Sequence, residues 1–270
     1  MTGILKAQSN TSYTTAQVRN IIISPNDPSG GNNGDIWIKY VEWGGDMALP
    51  SGYKKLEYIE GTGTQYIDTG VSAPSGVAIF CEVTLVGYVD TLNSIFGAVD
   101  AEPPHYRDYF AAHKDRGSWE LGAYGDSNFG VSTWGETLRI DCCTISGAIS
   151  CTINGVSQSV DTTIGGNGAR SSLPIYLFAM NFSGGLNAAK MKLYNFKIYL
   201  DSSKENLVRD FVPCKNTSGI VGLWDNVGGK FYQNAGSGAF VSGPEIYEGG
   251  IFVKVNGVWK QIDNVTVNAR

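Results

Sequence analysis

Gly34-Asp35-Ile36-Trp37-Ile38-Lys39-Tyr40 and, far downstream, Gly250-Ile251-Phe252-Val253-Lys254-Val255-Asn256-Gly257-Val258-Trp259-Lys260-Gln261 are two runs in which large apolar and polar side chains alternate. That period marks a half-buried strand. In the second run Asn256-Gly257 sits at the hinge of a two-residue hairpin, whose central positions need the left-handed backbone that Asn and Gly adopt cheaply. Neither run folds alone, because two strands are marginal in water. The economical reading is one small sheet closed by distant segments, with everything between them an inserted domain. Such a sheet suits an attachment point, and the insert suits a displayed head.

Outward from these runs, residues 1–33 are polar and rich in Ser, Thr and Asn, with Val18 and Ile21-Ile22-Ile23 as one short strand candidate. Pro25 to Gly34 reads as turn and linker. The expected organisation is an N-terminal arm with the first strand of the docking unit over 1–48, one inserted β-domain over 49–245, and a C-terminal hairpin completing the docking unit over 246–270. Within the insert, strand candidates fall at 55–60, 66–69, 77–85, 94–99, 107–112, 119–124, 137–145, 150–153, 173–181 and 189–200, most of them separated by Gly or Pro turns. Residues 201–210 have room for one helical turn but read better as a charged surface connection, and 222–227 and 230–234 read as closing strands. Many short strands with regular turns predict an all-β fold, a sandwich or a barrel, inserted in a small β-unit formed by the N- and C-terminal segments.

The composition fits this reading. Of 270 residues 42% are hydrophobic, enough for a real core, while only 17% are charged, so the surface relies on Ser, Thr, Asn, Gln and Gly. The 35 glycines are spread along the chain, as many tight turns require. A net charge of −5 without Lys/Arg clusters argues against a nucleic-acid surface. Five cysteines at no metal-ligand spacing indicate neither a disulfide framework nor a zinc site. If Ser146-Gly147 is a turn, Cys142 and Cys151 face each other across a hairpin; a bond there is strained against ordinary disulfide geometry, and the sequence leaves open whether they are joined. No basic segment with an apolar core opens the chain and no apolar run is long enough to span a bilayer, so the expectation is a soluble protein made in a reducing cytoplasm without membrane insertion.

Residues 49–70, opening Leu49-Pro50-Ser51-Gly52-Tyr53 and closing Gln65-Tyr66-Ile67-Asp68-Thr69-Gly70, resemble the start of a concanavalin-A-like (laminin-G-like) jelly-roll domain common in bacteriophage structural proteins. Leu207-Val208-Arg209-Asp210-Phe211-Val212-Pro213-Cys214, Gly222-Leu223-Trp224-Asp225 and Lys230-Phe231-Tyr232-Gln233-Asn234-Ala235-Gly236-Ser237-Gly238 resemble its close. The two split-sheet runs and residues 13–21 resemble short modules of phage virion proteins. The resemblance implies that residues 49–245 form a two-sheet antiparallel jelly-roll sandwich, inserted in the small β-unit, in a virion context; members of so broad a superfamily often bind glycans and some hydrolyse them. It fixes no ligand.

Catalysis by paired carboxylates needs a patterned strand such as Glu-x-Asp-x-x-Glu, and none is present; Asp100, Glu102 and Asp108 read as a loop beside prolines. The two histidines, His105 and His113, lack further ligands, and no Asp-x-Asp-x-Asp-Gly run marks a calcium loop, so no catalytic residue, metal or cofactor is expected. Aromatic rings that can stack on sugar C–H faces, with polar neighbours for the hydroxyls, are concentrated between 106 and 134. The candidate ligand-binding set is Tyr106, Arg107, Trp119, Tyr124, Asp126, Asn128 and Trp134, against a core role that alternate aromatics in a sandwich usually have. Trp37, Trp224 and Trp259 are assigned to cores.

The expected function is a non-enzymatic virion surface protein, a head decoration or head fibre, binding host or environmental glycans weakly and gaining avidity from many copies. Its expected partners are other virion proteins of capsid or tail, docked through the arm and split sheet, together with glycans and further copies in a homo-oligomer. A tail-fibre or baseplate receptor-binding protein, a glycan-hydrolysing depolymerase and a ligand-free cement protein are the alternatives. Heptad repeats of an extended fibre are missing, which favours the head.

Overall fold

The computed structural model describes residues 2–7, 12–14, 20–24, 26, 28–39, 49–102, 105–166, 169–183, 185–246 and 250–268, with backbone alone for 2–7, 12–14, 165 and 261–268. The chain divides into two compact units, one built from residues 1–48 and 246–270, the other from 49–245.

The smaller unit is a six-stranded sheet ordered Ser12–Thr14, Thr2–Ala7, Val258–Asn268, Gly250–Val255, Ile36–Lys39, Ile21–Ser24. The distant runs do pair: Val253 lies opposite Ile36, Phe252 opposite Trp37 and Ile251 opposite Ile38. Period-2 alternation then sorts the side chains. Ile36 and Val253, with Ile38, Ile251 and Val255, form one apolar cluster, while the Trp37 and Trp259 rings meet edge to face at 5.8 Å. The Trp37 indole donates to Asn26 O at 3.1 Å, which satisfies its buried N–H. Asn256 and Gly257, at φ 50° and 79°, make the two-residue hairpin. Trp37 is buried, but Trp259 and Trp224 are only half-buried, so the core assignment holds in full for the first alone. Two strands, Thr2–Ala7 and Ser12–Thr14, lie where the sequence reads as polar arm, because cross-strand pairing outweighs their weak apolar pattern. The candidate residues Val18 and Tyr40 lie outside the described residues.

The larger unit is a two-sheet sandwich. One sheet of eight strands runs Gly125–Phe129, Ser118–Ala123, Arg107–His113, Leu92–Val99, Tyr176–Leu177, Ile67–Asp68, with the hairpin Ala179–Phe182/Gly185–Ala188 attached to Leu92–Val99. The other, of eleven, runs Val156–Ser157, Ser150–Ile153, Thr137–Cys143, Ala78–Gly87, Lys190–Tyr199, Leu207–Lys215, Val221–Asp225, Lys230–Gln233, joined by three short strands. Their inner faces interdigitate: Phe96 stacks on Phe110 in its own sheet and meets Phe196 of the other edge-on at 5.6 Å. Such aromatic pairs add about 0.5–1.5 kcal/mol beyond the area they bury. Among the described residues the helical content is one 3-10 turn, Thr162–Gly165.

The surface connection read over 201–210 is a tight loop as far as residue 206, where Asp201 accepts from the backbone N–H of Glu205 and Asn206, and Leu207–Lys215 is a strand. Three local expectations need correction. Residues 55–60 are not one strand but part of two, Lys54–Lys55 and Ile59–Thr62. Residues 173–181 are not one strand, since Phe178 at φ 65° breaks them into Tyr176–Leu177 and Ala179–Phe182. Asp108 is not in a loop but inside a strand, buried at 1% exposure.

The last residue of the sandwich unit closes it electrostatically. Glu245 pairs with Lys215 and, at 3.1 Å, with Lys54. The hydrogen bond from Lys215, helped by Lys54, holds its carboxyl below the usual glutamate value. The stabilisation is therefore full above that ordinary value, about 4.3, and is lost as pH falls through the lowered folded value. Glu245→Gln is expected to lower the melting temperature at neutral pH and to flatten its decline in acid, by calorimetry across a pH series; an unchanged acid limb would remove Glu245 from the account.

Candidate functional site

Side chains alternate across a strand, so parity decides what the eight-stranded sheet shows outward. On Arg107–His113, Phe110 and Ala112 belong to the main core, leaving Arg107, Tyr109 and Ala111 on the outer face. Register extends the pattern: Tyr109 stands opposite Gly122 and Gly122 opposite Asp126, while Ala111 stands opposite Glu120 and Glu120 opposite Asn128. A Cβ on residue 122 would come 2.2 Å from Tyr109 Cε1. Glycine there lets the phenol ring lie across its neighbour strand and reach the next one.

The result is a continuous polar row. Arg107 Nη1 donates to Asp126 Oδ2 at 2.5 Å, and its Nε donates to His105 O at 2.9 Å. The Tyr109 hydroxyl lies 2.8 Å from Asp126 Oδ1 and also bonds Glu120 Oε1, so one phenol proton serves two carboxylates. Arg116 Nη1 donates to Glu120 Oε2 at 3.2 Å and to Asn128 Oδ1 at 2.9 Å. Burial, reinforced by the Asp126 and Glu120 carboxylates, pushes the Tyr109 hydroxyl far above the usual phenol range, so it stays a neutral donor. Tyr109 and Glu120 are buried beneath the row, whereas Asp126 and Asn128 are exposed on it. Two guanidiniums are matched by two carboxylates.

At the end of the same strands Tyr106 and Tyr124 pack at 5.8 Å, both half-buried. Tyr124 occupies the tight connection between Ser118–Ala123 and Gly125–Phe129 at φ 74°, its N–H donating to Arg107 O at 3.2 Å. Of the seven sequence-predicted residues, Arg107, Asp126 and Asn128 thus lie in one network with Tyr106 and Tyr124 beside it. Trp119 does not: it is 2% exposed, points inward and stacks on Phe110 at 5.3 Å. Trp134 packs instead on Tyr88, at 3.8 Å between ring centroids, and no described contact joins it to the network. Sequence reasoning missed Tyr109, Glu120 and Arg116. For Tyr109 and Glu120 the signal was the parity of two strands whose register is set in three dimensions, and Arg116 lies in the turn between them, where parity says nothing.

Two hollows lie elsewhere on the sandwich. One of about 480 Å³ runs between Ile220, Asn234 and Phe240. The other, about 530 Å³, lies over Phe80 between Arg139, Asp141, Thr152 and Asn154, but Arg139 already covers the Phe80 ring at 4.8 Å. Among the described residues no three His, Cys, Asp or Glu side chains converge as a metal site.

Solved structures share parts of this architecture. A candidate carbohydrate binding protein from Bacteroides ovatus is 11% identical, with 80% of this chain and 72% of that one aligned at a TM-score of 0.50. The heptameric SAP-like pentraxin of Limulus polyphemus is 10% identical over 55% of this chain and 76% of its own, TM-score 0.40. Trypanosoma rangeli sialidase, solved with 2,3-difluorosialic acid, is 17% identical over 48% of this chain, TM-score 0.38; the match spans only 22% of the sialidase chain. At such identities the first likeness speaks for the fold alone, and the other two are too loose to argue from. No protein-family model matches the chain, and no curated protein matches it in sequence. The class that sheet order and packing define is the two-sheet, largely antiparallel jelly-roll sandwich, here inserted in a smaller β-unit.

Proposed function

We propose that the sandwich is a non-enzymatic carbohydrate-binding module whose ligand lies along the row Arg107–Asp126–Tyr109–Glu120–Arg116–Asn128, with Tyr106 and Tyr124 at its end. The observation that carries this reading is the exposed pair Asp126 and Asn128 on one sheet face, the first held by half-buried Arg107 and buried Tyr109 and the second by the exposed Arg116. A carboxylate that accepts and an amide that donates suit the vicinal hydroxyls of a sugar, and half-exposed tyrosines suit its C–H face. Each arginine is neutralised by a carboxylate in the row, so the ligand is a neutral glycan rather than a sialylated or uronate one. Open sheet faces suit extended chains weakly bound, and multivalent display raises the avidity.

A hydrolase reading has one point in its favour, the two carboxylates around a single phenol. Both are already occupied, Glu120 by Tyr109 and Arg116 and Asp126 by Arg107, which leaves no carboxyl poised to protonate a leaving group. Asp126→Ala is expected to weaken binding to the best neutral oligosaccharide about tenfold, the size of one lost charge-assisted hydrogen bond, by titration calorimetry with the wild-type fold retained. Unchanged affinity would remove the row as the site, and release of reducing ends would turn the module into an enzyme.

The biological setting of this reading is the surface of a bacteriophage particle, on a capsid or tail, with the smaller β-unit as the docking element. Its support is the likeness of residues 49–70 and 207–238 to phage jelly-roll domains. Cryo-electron microscopy of purified particles is the test, and particles without density for the sandwich would overturn it.

A further inference from the structure

Cys142 and Cys151 stand directly opposite each other in the hairpin formed by Thr137–Cys143 and Ser150–Ile153. Two backbone bonds fix the kind of pair. The N–H of Gln158 donates to Cys151 O, so the polar groups of Cys151 point away from Thr137–Cys143. On the other strand Arg139 O accepts from Asn154 and Thr144 N donates to Val77 O, so odd positions bond the hairpin partner and Cys142 bonds the strand behind. The cysteines therefore form a non-hydrogen-bonded pair, the closer of the two antiparallel spacings, with Cα atoms about 4.5 Å apart. That lies inside the disulfide range of about 4.4–6.8 Å. Both side chains point into the core, and their sulfurs are 2.9 Å apart. The expectation of strain came from sequence spacing alone; the bonding pattern relieves it.

Both thiols are buried, at 1% and 2% exposure, so exchange waits on folding or on opening of the sheet edge beside them. Ser150–Ile153 is covered outward only by the two-residue strand Val156–Ser157, at the edge of the eleven-stranded sheet. Cys81 lies on the next strand inward, opposite Ile140, and has no direct cross-strand sulfur partner.

We propose that Cys142 and Cys151 form an intramolecular disulfide when the chain meets a small disulfide oxidant, and that this bond staples the edge hairpin of the sandwich. The chemistry is thiol–disulfide exchange. One thiolate attacks a sulfur of oxidised glutathione and expels one glutathione; the second thiolate then attacks the mixed disulfide and expels the other. Two protein thiols are oxidised and one glutathione disulfide is reduced to two thiols. A chain made where thiols stay reduced and used outside the cell gains the staple on release.

The chain offers a clean assay. Trypsin leaves residues 140–170 as one peptide holding Cys142, Cys143 and Cys151. The protein is unfolded, refolded in glutathione redox buffer so that access is not limiting, blocked with iodoacetamide under denaturing conditions and mapped by tandem mass spectrometry. The expected result is that peptide lighter by two hydrogens, alkylated on Cys143 alone, with Cys81 and Cys214 alkylated elsewhere. The oxidised protein should melt higher than the reduced one, with the difference abolished by dithiothreitol and in Cys151→Ser. A bond using Cys81, Cys143 or Cys214, or all five thiols alkylated after oxidative refolding, overturns the proposal. The wild-type map decides the question even if the variant fails to fold.

Discussion

Arg170→Ala is expected to cost about 3–5 kcal/mol of unfolding free energy, the usual result of leaving one member of a buried ion pair behind. Arg170 and Asp108 have side chains 0% and 1% exposed, with Nε 3.6 Å from Oδ1. Thr144 completes the group: its hydroxyl donates to Asp108 Oδ1 at 2.6 Å, and its carbonyl accepts from Arg170 Nε at 3.0 Å. Asp108 belongs to the eight-stranded sheet and Thr144 follows the Thr137–Cys143 strand of the eleven-stranded one, so the cluster ties the two layers together. Burial pushes the Asp108 carboxyl well above the usual aspartate range, while the Thr144 hydroxyl and the Arg170 guanidinium pull the other way. Without the guanidinium the folded value rises further. The unfolded chain titrates alike in both proteins, so the electrostatic part of the loss is smallest in acid and grows as pH rises through the wild-type carboxyl's already raised folded value, while the lost Arg170 hydrogen bonds to Thr144 cost stability at either pH. Urea titrations at pH 3.5 and pH 7 check both the size and the sign. The double change Asp108→Leu with Arg170→Met should recover much of the loss, since an apolar replacement of a buried pair is often neutral. A single-variant loss under about 1 kcal/mol at neutral pH would show that water reaches the cluster.

Trp119→Ala is expected to destabilise the sandwich by about 3–5 kcal/mol, the range for deleting a buried large aromatic. The ring sits between Phe110, stacked at an interplanar angle of 18°, and the apolar interior, at 2% exposure. Trp119→Phe should recover most of the stability, because it keeps the stack and leaves a smaller void. Neither variant should change glycan affinity when measured well below its melting temperature. A variant that keeps its stability and loses affinity would put Trp119 on the ligand. Calorimetric melting paired with glycan titration separates the two.

That tryptophan shows how far the sequence reaches. In Ser118–Ala123 the residues Trp119, Leu121 and Ala123 face inward and Ser118, Glu120 and Gly122 outward. Alternation was plain from the residue types, but which parity faces the core depends on register with Arg107–His113. A slip of one residue would exchange the two sets. Hence Arg107, Asp126 and Asn128 could be named beforehand as polar neighbours of aromatics, while Glu120 and Tyr109 could not. Residues 207–210 teach a similar lesson: they read as the end of the charged surface connection that begins at Asp201, and pairing with Lys190–Tyr199 makes them the start of the strand Leu207–Lys215.

By itself the sequence determined the all-β class, the alternation of Ile36–Lys39 and Gly250–Val255 that closes the small sheet around an insert, and the Asn256-Gly257 hairpin. These are local matters, of period and of backbone conformations open to few residues. Tertiary structure alone decided which face of each strand meets the core, that Asp108 finds Arg170 across the loop to its far sheet, and that Tyr109 crosses Gly122 to join Glu120 with Asp126. Each of those facts depends on register between segments distant in the chain, a quantity that no single strand carries.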